Sequence, residues 1–206
     1  MEHIKGFLKK LEADKGIRIV FAIESGSREW GMASKDSDFD VRGVFCHPPE
    51  RYHDLLPYAE DLNIIKGDID VHLMEIKKFM RLLLNSNPTC IEWIQSKTWY
   101  VGKKHEVFER FLKNDWSPKA LAHHYVGLCK QNYLKYLKTR KEPTVKRYLY
   151  ACRGWLAGVI ALKGKLPPIN VAELVETSPI KDLQRRKLRA LLKAKKSGSE
   201  HMLAGE

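Results

Sequence analysis

One stretch constrains this chain more than any other: Glu24-Ser25-Gly26-Ser27-Arg28-Glu29-Trp30-Gly31, followed by Asp36-Ser37-Asp38-Phe39-Asp40-Val41-Arg42-Gly43. Ahead of it, Arg18-Ile19-Val20-Phe21-Ala22-Ile23 is short, apolar and rich in β-branched residues, the pattern of a buried strand. The strand pattern stops at Ser25-Gly26, and Ser27 can cap a short helix over Arg28 to Ala33. Val41 to Cys46 reads as a second strand, ended by His47-Pro48-Pro49. A glycine here lets backbone approach a ligand closely. The N–H groups and dipole at the following helix start favour phosphate.

Asp38 and Asp40 flank Phe39. In an extended stretch alternate residues share a face, so both carboxylates point the same way. Adjacent carboxylates repel unless a cation lies between them. Hard oxygen ligands suit Mg²⁺, which keeps several waters and binds substrate phosphates. A third acid would complete a two-metal site. Leu62 to Lys66, Gly67-Asp68 and Ile69 to Met74 read as a hairpin, and Asp68, Asp70 and His72 alternate along its second strand. Asp70 lies within the strand and Asp68 at its turn; alternation favours Asp70, with Asp68 as the alternative.

From Glu75 onward the periodicity becomes helical. Ile76, Phe79, Met80, Leu83 and Leu84 share one face of a helix over Glu75 to Leu84, which Asn87-Pro88 stops. Short helices follow over Thr89 to Ile94 and His105 to Leu112. Ser117-Pro118 opens a helix that can run to Leu137, Pro143 opens another through Lys163, and Asn170 caps Val171 to Glu176. Ser178-Pro179 starts a last basic helix that ends near Ser197-Gly198. Strands first and helices afterwards predict an α+β core, residues 1–115, with a helical bundle appended, residues 116–206.

Charge divides at the same boundary. Residues 1–115 hold 18 Lys/Arg against 19 Asp/Glu, whereas residues 116–206 hold 19 against 6. The net charge of +12 therefore comes wholly from the helical half, which suits a polyanionic partner such as nucleic acid. Lys130, Lys135, Lys138, Arg140, Lys141, Lys146, Arg147 and Arg153 are interleaved there with Tyr133, Tyr136, Tyr148, Tyr150 and Trp155. Cations neutralise phosphates and aromatic faces stack on bases. Lys146, Tyr150 and Arg153 fall at helical spacing on one face, which can meet a triphosphate. His123 and His124 are neighbours on a helix and point to different faces, which argues against chelation by both. No two of Cys46, Cys90, Cys129 and Cys152 have Cys-x-x-Cys spacing, so four reduced thiols are expected. No apolar run nears the roughly 20 residues of a membrane span. The start, Met1-Glu2-His3-Ile4-Lys5, lacks a signal-peptide core, so a cytoplasmic chain with no membrane partner is expected.

The order Gly-Ser, Asp-x-Asp, then an Asp on a later strand resembles the DNA polymerase beta-like nucleotidyltransferase superfamily. The fuller string Glu-Ser-Gly-Ser-x-x-Trp-Gly with Asp-Ser-Asp-x-Asp-Val-Arg resembles a narrower branch, that of RNA-repair-ligase-associated polymerases. Glu75-Ile76-Lys77-Lys78-Phe79, Asn87-Pro88 with Glu92-Trp93, and Lys146 to Arg153 fit that branch too. The resemblance implies a mixed β-sheet core with flanking helices. It also implies nucleotidyl transfer from an NTP to an acceptor hydroxyl. Asp38, Asp40 and Asp70 would then ligate two Mg²⁺ ions, with Mn²⁺ as an alternative, and act as the catalytic carboxylates. Gly26 and Ser27, with Arg28 beside them, would hold the triphosphate. A helix beside the sheet would add Lys146, Tyr150 and Arg153.

With the basic half, the expected reaction is addition of nucleotides to the 3′-hydroxyl of a tRNA-like or repair RNA, releasing pyrophosphate. AMP transfer to a protein acceptor is the alternative, but a protein acceptor needs no broad cationic surface. A non-catalytic RNA-binding module is the third reading, and the intact Gly-Ser and carboxylates argue against it.

Overall fold

A computed structural model of the chain describes residues 1–34, 37–138 and 144–197. In chain order the elements are α1 (Glu2–Lys15), β1 (Arg18–Glu24), α2 (Gly26–Glu29), β2 (Phe39–Cys46), β3 (Asp61–Lys66), β4 (Ile69–Glu75), α3 (Ile76–Leu84), α4 (Pro88–Gln95) and β5 (Trp99–Val101). Then come α5 (Glu106–Asn114), α6 (Pro118–Asn132), a π-helical turn (Tyr133–Lys138), α7 (Val145–Leu162), α8 (Val171–Thr177) and α9 (Asp182–Ser197). The five strands form one mixed sheet in the order β3-β4-β2-β1-β5. β2 and β4 are parallel, and the other neighbours are antiparallel.

Alternation along the strands sorts side chains onto two faces. Val41, Phe45, Val71 and Leu73 point to a core closed by Ile4, Leu8 and Leu11 of α1. Phe21, Ile23, Val44 and Met74 point the other way, into a cluster shared with Phe79, Leu121, Tyr125, Leu149, Leu156 and Val175. A register shift between Ile19 and Phe21 moves β1 from one face to the other: Ile19 packs with α1 and Phe21 with the helices opposite.

The helical half thus lies on one face of the sheet as a single apolar continuum, with α6 and α7 crossing closely at Gly154. A Cβ there would lie 3.1 Å from the Cys129 nitrogen. The C-terminal helices also brace the turn after β1. Val171 N–H donates to the Trp30 carbonyl at 2.9 Å. Lys195 of α9, only 1% exposed, donates to Ser34 Oγ at 3.3 Å.

The predicted strands and hairpin are present, as are the other predicted helices, the last starting at Asp182 instead of Ser178-Pro179; in place of the helix expected over Arg28 to Ala33 stands the four-residue turn Gly26–Glu29. Ser117, Thr144 and Asn170 cap α6, α7 and α8 through side-chain oxygens. Pro143, the expected start of α7, lies outside the described residues. α1 and β5 are additions to the expected elements. The four cysteines are free thiols. Among the described residues, no helix is long and apolar enough to cross a membrane.

Candidate active site

On β2 and β4, core residues give way to polar ones toward the strand starts. Val44 and Met74 are buried, while Arg42, Asp40, His72 and Asp70, on the same face, line or border a cleft. Register pairs Asp40 with Asp70 and Arg42 with His72 across the parallel strands. One nitrogen of Arg42, Nη2, donates to Asp40 Oδ1 at 2.9 Å and to Asp70 Oδ2 at 2.8 Å. Its Nη1 donates to the Asp70 carbonyl at 2.7 Å. A guanidinium therefore stands between the two carboxylates.

The turn after β1 closes over Asp40. Ser25 N–H donates to the Asp40 carbonyl at 2.8 Å. Gly26 has φ +59°, and a Cβ there would lie 1.8 Å from Asp40 Oδ2. Conformation and space both require glycine. The helical turn begins at Gly26 with Ser25 as N-cap, two residues earlier than expected, and covers only four residues. Ser27 is consequently buried, and its backbone N–H donates to the Asp40 carboxylate; Ser25 and Gly26 are the residues of this turn that line the cleft.

Burial raises the Asp40 pKa above the ordinary carboxylate value; Asp70 adds to this, while Arg42, Lys146 and the Ser27 N–H oppose it. Beneath Asp40 lies Glu24, 4% exposed, whose Oε1 accepts from the Asp40 N–H at 3.0 Å and whose Oε2 accepts from the Tyr100 hydroxyl. Burial raises its pKa too, against the hydrogen bonds from Tyr100 and Asp40.

The facing wall comes from α2, α4 and α7. The Arg153 guanidinium stacks 3.9 Å above the Trp30 ring and pairs with Glu92, which also accepts from the Tyr125 hydroxyl at 2.8 Å. Tyr150 meets Trp30 edge to face at 5.2 Å, and Lys146 Nζ lies 5.8 Å from the Tyr150 ring. The cleft between the walls holds about 350 Å³.

The expected site residues therefore divide. Gly26, Asp40, Tyr150 and Arg153 line the cleft. Asp70 joins them through Arg42, and Lys146 through its field at Asp40. Asp68 sits at the hairpin turn, its carbonyl accepting from Phe39 N–H at 2.8 Å. Asp38 precedes β2 and is exposed, outside the cleft lining. Arg28 turns to the backbone instead of the cleft: it donates to the carbonyls of Ser37 at 2.7 Å and Asp38 at 3.1 Å, and lies 3.9 Å above the Phe39 ring. Asp40 and Asp70 are the carboxylates that could hold a cation. Among the described residues, no group of three His, Cys, Asp or Glu side chains is assembled for a metal as they stand. His72 bonds Asp61 at 3.0 Å and meets Trp93 edge to face.

Sequence reasoning missed Arg42, Glu24, Trp30 and Glu92. Arg42 and Glu92 carried a signal, being charged residues inside otherwise apolar strings. The partners of Glu24 were hidden, because Tyr100 is 76 residues away.

The Gly26 turn packs onto β2 at Asp40, beside the parallel strand that carries Asp70. Residues 1–205 match the RNA repair pathway DNA polymerase beta family, and the chain belongs to that family. It is 31% identical over 200 residues to the uncharacterized protein YcgL of Bacillus subtilis strain 168, covering 94% of this chain and 75% of that one. It is 30% identical over 149 residues to the uncharacterized protein MJ0002 of Methanocaldococcus jannaschii, covering 70% of this chain and 60% of that one. A crystal structure of a nucleotidyltransferase-like protein from Exiguobacterium sibiricum aligns over 93% of this chain and 75% of that one, at 12% identity and a TM-score of 0.35.

Proposed function

We propose that this cleft transfers a nucleotidyl group from an NTP to the 3′-hydroxyl of an RNA, releasing pyrophosphate. The observation that carries the reading is the in-register pairing of Asp40 with Asp70, with the Gly26 turn packed against Asp40. In the reaction the acceptor oxygen bonds to the α-phosphorus, and the bond from that phosphorus to the bridging oxygen breaks. The family's RNA-repair character and the basic helical half support RNA as acceptor.

The residues fit a divalent cation. Asp40 and Asp70 offer hard oxygen donors on neighbouring strands, and they already share one positive group, the Arg42 guanidinium. Asp40 and Asp70 would hold Mg²⁺; Asp38, the third expected ligand, lies outside the cleft lining. When bound, Mg²⁺ supplies the charge that neutralises the phosphoryl oxygens at the reacting phosphorus. The protein does the rest. Ser25 and Gly26, which line the cleft, would receive phosphate oxygens. Arg153, held planar between Trp30 and Glu92, and Lys146 add positive charge on the facing wall. Arg42, on the same strand as Asp40, would be a further donor to phosphate oxygens. Asp70, whose side chain is 39% exposed, would accept the proton of the attacking hydroxyl.

The test is incubation with each α-labelled NTP, Mg²⁺ and a mixture of tRNA and short RNAs. Label on RNA is the expected result. Label on protein would establish AMP transfer instead, and absence of label with every NTP would contradict catalysis.

A further inference from the structure

A second groove, of about 250 Å³, opens between the start of α4 and one face of α6. It shares Pro88, Thr89 and Leu128 with the main cleft, so the two adjoin. Its remaining walls are Asn87 of the α4 cap and His123, His124, Gly127 and Gln131 of α6. His124, Leu128 and Gln131 follow at spacings of four and three, one helical stripe facing the groove. Although neighbours on the helix, His123 and His124 flank the same space, because it is wide enough to meet both.

We propose that this groove is the acceptor subsite, receiving the base and ribose of the nucleotide at the RNA 3′ end; the inference rests on the RNA-acceptor reading above. Its chemistry is that of a nucleoside. Imidazole and carboxamide groups offer hydrogen bonds to base edges and the 2′-hydroxyl, and Leu128, 38% exposed where the cavities meet, offers an apolar surface for a base. Its lining contains no acidic residue, unlike the main cleft, so a phosphodiester chain can leave by this route without meeting a carboxylate. The groups suited to a triphosphate, Gly26 and Arg153, line the main cleft alone. The sugar and base nearest to Pro88 and Thr89 therefore belong to the acceptor.

Gly127 makes the groove testable without touching the main cleft. A Cβ at this position meets nothing within 4 Å, so a larger residue extends into open space, and removing a mid-helix glycine favours the helix. The experiment measures binding of a short 3′-hydroxyl RNA oligonucleotide and, separately, of a non-hydrolysable ATP analogue. Gly127→Leu should weaken RNA binding roughly tenfold, the scale of one base displaced from its surface. His124→Ala should weaken it in the same direction. Gly127→Ala should bind near wild type, and Tm should hold or rise in both Gly127 variants. ATP-analogue affinity should be unchanged throughout. Weakened analogue binding in Gly127→Leu would assign the groove to the NTP base and overturn the proposal. Unchanged RNA binding in Gly127→Leu and His124→Ala would overturn it too, while leaving transfer to RNA intact. If the wild-type chain binds no RNA, both this proposal and the acceptor reading fail.

Discussion

Asp40 and Asp70 face one another across two parallel strands, and a single nitrogen of Arg42 lies within 3 Å of both, at 2.9 and 2.8 Å. Two carboxylates this close need a cation, and the chain carries its own. Removing it by Arg42→Met leaves them to repel. The three side chains are 18%, 27% and 39% exposed, so solvent screens part of the effect. The expected cost is about 1–2 kcal/mol at neutral pH, a Tm loss of a few degrees for a chain of this size. Mg²⁺ should then raise the Tm of Arg42→Met more than that of wild type, since it no longer competes with a guanidinium. Equal shifts in thermal scans would show that arginine and metal do not share the site.

Asp40→Asn should abolish transfer while the fold holds. The folded pKa of Asp40 is raised, so the folded state binds this proton more tightly than the unfolded chain does. Stability from the group is present below the unfolded value and is lost as pH rises through the folded one. Asparagine does not titrate. The Tm advantage of Asp40→Asn should therefore be near zero at about pH 3 and positive at about pH 7. A Tm advantage that shrinks with rising pH would contradict the assignment.

Glu24 positions Asp40 through the Asp40 N–H and never reaches the cleft lining. Glu24→Ala leaves that N–H and the Tyr100 hydroxyl buried without an acceptor, at about 1–3 kcal/mol each. Glu24→Gln keeps one acceptor oxygen and should recover most of the stability. If positioning is the role, Glu24→Gln should lower kcat while leaving nucleotide KM near wild type. A matching loss in KM would mean that Glu24 shapes nucleotide binding directly.

Much of this architecture was legible. β1, β2 and the β3–β4 hairpin announced themselves by alternation or short apolar runs, because one or both faces are buried. α1 carried a readable stripe, Ile4, Leu8 and Leu11, but its many lysines and glutamates lower its apolar content and masked the stripe. β5 is three residues long, too short to show any period. The role of Arg42 depends on a parallel pairing of segments 30 residues apart, which no local pattern encodes. Ser27 and Arg28 depart from expectation for one reason: the helical turn starts two residues early, which buries Ser27 and swings Arg28 onto the Ser37 and Asp38 carbonyls.

The basic surface makes a salt prediction. Lys135 and Lys138 are exposed on the π-helical turn after α6, away from the cleft lining; Arg140 and Lys141 lie outside the described residues. Changing all four to alanine should weaken RNA binding and flatten its salt dependence. The change in slope should be about 0.7 log units per log unit of salt for every phosphate of a single strand that is no longer neutralised. NTP affinity should stay constant. An unchanged slope in binding titrations would move the RNA path elsewhere.

The most direct measurement of the central claim compares two RNAs that differ only at the end, one with a 3′-hydroxyl and one with a 3′-deoxy terminus, each incubated with α-labelled NTP and Mg²⁺. Label should enter only the 3′-hydroxyl RNA, with pyrophosphate released in equal amount, and Asp40→Asn should transfer none. Label on the 3′-deoxy RNA or on the protein, or transfer that survives in Asp40→Asn, would contradict the account.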